Sequence, residues 1–249
     1  MKAGTRLGLT LLSAYIVFLI ATIPAPLVFS KFGTRLAPLT AYDISGSVWS
    51  GHAGTVNYAA MRLVNLDWSL HPFSLLLGRL ETGVSLDDPG LRVNGALGRT
   101  LGGTRYLSKV QGTAELQALQ SSGLLKILLP VNGQAEFALK TLRYSDGKLS
   151  AAEGSIDIKN VATIVPALAL GDFQIKVETL QAGIKATLSD LSGALRAQGI
   201  AMVSPDGSYQ FTGKFSARDP NQEDLQQYLR MLGRMGPDGR VNVTTTGHL

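Results

Sequence analysis

Residues 209–217 read Tyr209-Gln210-Phe211-Thr212-Gly213-Lys214-Phe215-Ser216-Ala217, aromatic or small residues alternating with polar ones. A period of two is that of an extended strand, whose successive side chains point to opposite faces. One face of this strand is therefore dry and the other wet. The pattern recurs in Ala135, Phe137 and Leu139 against Gln134, Glu136 and Lys140, and in Ile156 and Ile158 against Ser155, Asp157 and Lys159. Ile175 and Val177, and Ile184, Ala186 and Leu188, repeat it. Between such runs stand Ser204-Pro205-Asp206-Gly207-Ser208, Gly236-Pro237-Asp238-Gly239-Arg240 and Ser145-Asp146-Gly147-Lys148. Asp-Gly pairs, two of them after a proline, suit tight reversals that need positive φ. The expectation is a mainly β chain of antiparallel hairpins.

A glycine precedes a short apolar strand near Gly112, Gly133, Gly154 and Gly193. The uneven spacing reads as a recurring strand start, not a solenoid repeat. One helix is signalled near the end. Asp219 can cap it, Pro220 fits its first position, Gln222 completes a capping box, and Leu225, Tyr228, Leu229 and Leu232 form an apolar stripe. That stripe should cover one end of the sheet.

At the other terminus, Leu7 to Ser30 contains no charged residue. At about 1.5 Å per helical residue this is enough to cross a bilayer core of roughly 30 Å. Leu12, Ile16, Phe18 and Ile20 would be its lipid-facing anchor residues. A cleaved signal would share the basic start at Lys2 and Arg6, but the apolar run continues past Pro24 and Pro26 to Phe29, so an uncleaved anchor is expected. The expected division is a cytoplasmic tail at 1–6, a transmembrane helix at 7–29 and an exported domain at 30–249. The basic tail faces the cytoplasm by the positive-inside rule. No second stretch approaches membrane length.

The chain has no cysteine, hence no disulfide or thiolate metal site. Its net charge is +5, two units of it at Lys2 and Arg6, so the remainder is too balanced to point to nucleic acid. No nucleophile elbow, phosphate loop, dinucleotide-binding glycine motif or zinc-protease motif occurs. His52, His71 and His248 lack ligand spacing. Asp87 and Asp88 precede Pro89-Gly90, where carboxylates hydrogen-bond a reversing backbone. No catalytic residue, cofactor or metal is expected.

Two blocks are more specific: Gly46-Ser47-Val48-Trp49-Ser50-Gly51, and Leu66-Asp67-Trp68-Ser69-Leu70-His71-Pro72-Phe73-Ser74-Leu75-Leu76-Leu77-Gly78-Arg79-Leu80. Read physically, Leu66, Trp68 and Leu70 alternate along a strand, Pro72 stops it, residues 73–77 make a helical turn, and Gly78 restarts a strand. Trp49 and Trp68 would be packing anchors, each able to bury about 150 to 250 Å². The blocks also resemble the N-terminal signature of the type II secretion system protein N family at Trp49, Gly51, Trp68, Pro72, Leu76 and Gly78, and Met235 to Val241 with Gly247-His248-Leu249 is similar to the family's ending. The resemblance implies a single inner-membrane helix followed by a periplasmic domain, a curved antiparallel sheet built from long hairpins with a few short helices. It implies a non-enzymatic component of the export apparatus. Its partners would be the inner-membrane platform proteins, with the outer-membrane secretin a further candidate. A reading of another class also stands: long hairpins with Ile, Val and Phe on a concave face resemble the AsmA-like bridge proteins, whose apolar grooves bind lipid. Whether helices fill that face separates the two.

Overall fold

The computed structural model describes residues 11–12, 15, 18–32, 38–58, 61–72, 74, 78–122, 130–145 and 148–248. Among them the protein is mainly β, an antiparallel sheet of thirteen strands whose order is the chain order. Two compact units divide at Asp88 and Pro89. The first holds helix α1 (Ala25–Phe32) and strands β1 (Leu39–Gly46), β2 (Ser50–Tyr58), β3 (Met61–Leu70) and β4 (Arg79–Asp88). The second holds β5 (Leu91–Thr100), β6 (Arg105–Glu115), α2 (Leu116–Ser121), β7 (Val131–Ser145), β8 (Lys148–Thr163), β9 (Ala169–Leu180), β10 (Gly183–Ser192), β11 (Leu195–Val203), β12 (Ser208–Ala217), α3 (Glu223–Leu232) and β13 (Val241–His248). The hairpin of β7 and β8 has arms of 15 and 16 residues, about 50 Å at the usual rise per strand residue.

The turns follow the sequence signals. Gly207 has φ +93° and donates its N–H to the Ser204 carbonyl at 2.9 Å, while Asp206 accepts from the backbone and hydroxyl of Ser208. Gly239, at φ +70°, closes the second turn onto the Gly236 carbonyl at 3.0 Å. Asp146-Gly147 lies outside the described residues, although Ser145 pairs with Lys148 beside it. Asp88 differs from expectation: its carboxylate accepts the Val64 N–H of β3 at 2.8 Å rather than bonding its own turn. There it satisfies a donor next to Asn65, which sits at φ +53° and disturbs the ladder.

In the second unit the alternation aligns across strands. One row of partners runs Val93, Gly112, Phe137, Ile156, Ile175, Leu188, Gly199, Gly213, Val243, apolar or glycine at every strand. A second row runs Val110, Leu139, Gly154, Val177, Ala186, Ala201, Phe211, Thr245. The glycines mark strand starts only in part: Gly193 stands just before β11 and Gly133 is near the start of β7, whereas Gly112 and Gly154 lie well inside β6 and β8. Mid-strand glycines here allow close approach: a Cβ on Gly112 would stand 2.0 Å from the Arg92 carbonyl oxygen, and one on Gly154 would stand 2.4 Å from that of Ala138. The Gly112 Cβ would also stand 2.8 Å from the Phe137 ring, and one on Gly213 would meet both Phe211 and Phe215 at 2.8 Å.

The core gathers at one end of this face. Leu225, Tyr228 and Leu229 of α3 join Leu116 of α2, Val131, Val161, Leu168, Leu170, Phe173, Leu195 and Val241 in one buried cluster. The apolar stripe of α3 thus covers the sheet as its spacing requires, except that Leu232 remains 37% exposed. The helix starts later than its capping signals indicate. It begins at Glu223 with Gln222 as N-cap and no side-chain cap bond, because Asp219 spends its carboxylate on the Asn221 N–H in a preceding turn.

Candidate interaction site

The described residues between 11 and 21 are helical, and the helix stops at Thr22-Ile23-Pro24 before α1 begins. The single helix expected over 7–29 is therefore interrupted. Pro24 explains the break, since it has no N–H to donate to the Ile20 carbonyl one turn back. That carbonyl accepts the indole Nε1–H of Trp49 at 2.8 Å and the Ile23 N–H at 3.4 Å. Val48 N–H donates to the Ile23 carbonyl at 3.0 Å, and Pro24 bridges to Ser47. The tip of the β1–β2 hairpin thus clasps the end of the N-terminal helix.

Trp68 completes the clasp. It pairs with Gly51 across β2 and β3, donates its Nε1–H to the Val48 carbonyl at 3.1 Å, and lies over Gly51 so closely that a Cβ there would stand 2.3 Å from the ring. Its other neighbour is Phe29 of α1, with ring centroids 6.1 Å apart at 47°. Three family-signature residues, Trp49, Gly51 and Trp68, are therefore one structure. Both indoles are half-buried and lie outside the main core cluster, so they act as a joint between helix and sheet rather than as the centre of a core.

Pro72 and Gly78 bracket the connection from β3 to β4. His71 donates its N–H to the Glu81 carbonyl at 3.1 Å, Ser74 donates to the His71 carbonyl at 3.0 Å, and Gly78 takes φ +69°. Leu76 and most of the helical turn expected at 73–77 lie outside the described residues. His52 and Asp67 form an exposed pair at 2.9 Å on the neighbouring surface. Of the anchor residues, Ile16 lies outside the described residues, whereas Leu12, Phe18 and Ile20 are 55%, 62% and 48% exposed. No helix among the described residues is long and apolar enough to cross a membrane, which says nothing of strands.

A second feature lies on the apolar face of the second unit. Ile156, Ile158 and Phe215 pack against the core cluster, but Phe137, Ile175, Val177 and Phe211 lie beyond it, half-buried. A trough of about 930 Å³ also crosses β6 to β9, but most of its lining, Gln111, Ala138, Lys140, Glu153, Ser155 and Lys176 among it, belongs to the polar set of the alternation and so to the other face. On the apolar face the core cluster is reached at the α3 end and not around Phe137, Ile175, Val177 and Phe211. Among the described residues no three or more histidine or acidic side chains converge on a metal site.

The signal sequence reasoning missed is Pro24. Weighed only against a cleavage site, it also removes the regular donor four residues on from the Ile20 carbonyl, which Trp49 then bonds at 2.8 Å.

A family model described as type II secretion system (T2SS), protein N, matches residues 37–244. Type II secretion system protein N of Vibrio cholerae is 29% identical over the whole of both chains. The protein of that name from Aeromonas hydrophila is 25% identical, again over both full lengths. The one from Klebsiella pneumoniae is 26% identical over 97% of this chain and 94% of its own. No solved structure matches.

Proposed function

The chain belongs to the type II secretion system protein N family, and from that premise we propose that it is a non-enzymatic inner-membrane component that supports export of folded proteins by contact. Its N-terminal apolar helix anchors it with residues 1–6 in the cytoplasm, and its sheet stands in the periplasm against the platform proteins and the secretin. The observation that carries this reading is the tryptophan clasp. Large apolar side chains at Leu12, Phe18 and Ile20 face outward, as lipid-contacting residues do, and the helix bearing them is bonded at its end to the first hairpin by Trp49 and Val48. A joint of this kind holds a sheet at a fixed distance from a membrane. A reporter active only outside the cytoplasm, fused after residue 60, is expected to work, and the protein is expected to stay in the membrane pellet after carbonate washing. A soluble fragment beginning near residues 29–32 would overturn the anchor.

A second reading has an observation of its own: Phe137, Ile175, Val177 and Phe211 on the apolar face are half-buried and lie outside the core cluster. A lipid chain would bury these side chains as the AsmA-like proteins bury theirs. Native mass spectrometry of the purified protein tests it. Stoichiometric phospholipid, lost on Phe211→Asp with the fold retained, is the result that reading requires.

A further inference from the structure

The two outermost strands of the sheet, β1 and β13, are built differently. An edge strand leaves alternate backbone N–H and C=O groups unpaired, and proteins normally guard such edges with charges, prolines, bulges or a covering element. β1 has such guards: Asp43 stands at φ +54° and disturbs the strand, and α1 packs against it. β13 has none. Val241-Asn242-Val243-Thr244-Thr245-Thr246-Gly247-His248 contains no charged side chain and no proline. It pairs with β12 without a register shift. Val241 has an isolated bridge to Met235, and Gly233 approaches the Asn242 carbonyl. Among the described residues no strand follows it, and residues 244–247 are exposed.

We propose that β13 pairs antiparallel with β13 of a second copy of this chain about a two-fold axis. An antiparallel pairing of identical strands is self-complementary, so the same unpaired groups serve on both sides. The Thr244-Thr245-Thr246 run supplies the cross-strand threonine contacts that stabilise such pairs. The chain carries a net charge of +5, yet the uncharged strand brings no like charges face to face. Because β1 is guarded, addition stops at two copies instead of running on as a filament.

The chain lacks cysteine, which makes a direct test available on the full-length protein in its own membranes. Asn242→Cys, Val243→Cys, Thr244→Cys, Thr245→Cys and Thr246→Cys are introduced one at a time and oxidised. A disulfide-linked homodimer that peaks sharply at one position and falls off on both sides is expected. Thr244→Lys with Thr246→Lys should lower the dimer fraction of the detergent-purified protein at least tenfold while its melting temperature holds. If the lysine variant fails to fold, the cysteine series decides alone. Monomer throughout, cross-linking equal at all five positions, or cross-linking of β13 to a different protein would overturn the proposal.

Discussion

Trp49 uses both its backbone and its indole. Its backbone lies at the hairpin tip, and its indole N–H gives the Ile20 carbonyl, which Pro24 cannot donate to and Ile23 bonds only at 3.4 Å, a donor at 2.8 Å. Trp49→Phe keeps the ring and removes the bond, so it should destabilise the first unit by about 1 kcal/mol, the usual net worth of one hydrogen bond. Trp68→Ala removes a half-buried ring and should lower stability by roughly 2 kcal/mol. Gly51→Leu should be worse than either, since even a Cβ at that position meets the Trp68 ring. Urea unfolding of the detergent-solubilised protein measures all three, and equal effects would contradict the clasp. Asp172 gives a pH-dependent case. Its carboxyl accepts the Asn160 N–H and the Ser192 hydroxyl, both at 2.8 Å, and so ties β8, β9 and β10 together. The Asn160 bond, then the Ser192 bond, hold its pKa below the ordinary carboxylate range. A group whose folded pKa is depressed stabilises above its unfolded pKa, and that contribution fades as pH falls through the folded value. The stability gap between parental protein and Asp172→Asn should therefore be present at pH 7 and shrink below about pH 4. A gap constant down to pH 2 would show that the charge contributes nothing.

At the scale of elements, α3 has one face that matters. Leu229 is fully buried and Leu225 nearly so, while Leu232 is 37% exposed. Leu229→Ala should lower stability by about 2 to 5 kcal/mol, as large-to-small core changes do, and Leu232→Ala by under about 1 kcal/mol. Chemical denaturation followed by far-UV circular dichroism separates them. This helix also marks what sequence reading could reach. Its stripe was legible because a period of 3.6 is a local property, and the strand around Tyr209 to Ala217 was legible for the same reason with a period of two. Its first residue was not, because Asp219 had two backbone donors to choose from and local spacing did not distinguish them. Gly112 and Gly154 were misread as starts because the groups that need the space belong to neighbouring strands, the Arg92 carbonyl and Phe137 ring for Gly112 and the Ala138 carbonyl for Gly154. The Trp49 bond to Ile20 spans 29 residues of sequence, and no local pattern records it.

For the whole molecule, the sheet is a long series of hairpins in chain order with its helices gathered at particular places: α1 against β1, α2 and α3 at one end of the second unit. Lys replacements at Leu12 and Phe18 should abolish membrane retention, each charge costing about 2.5 to 3.5 kcal/mol at a helix centre, with carbonate extraction as the assay. The central claim is that the protein works by contact within the secretion apparatus. Its most direct test is chemical cross-linking and affinity purification of the full-length protein from cells making the whole apparatus, with proteins and lipids quantified in the same sample. The account predicts platform proteins recovered in near-stoichiometric amounts and phospholipid only at the level of the annular detergent control. Recovery without any secretion component, but with one tightly held phospholipid per chain, would contradict it.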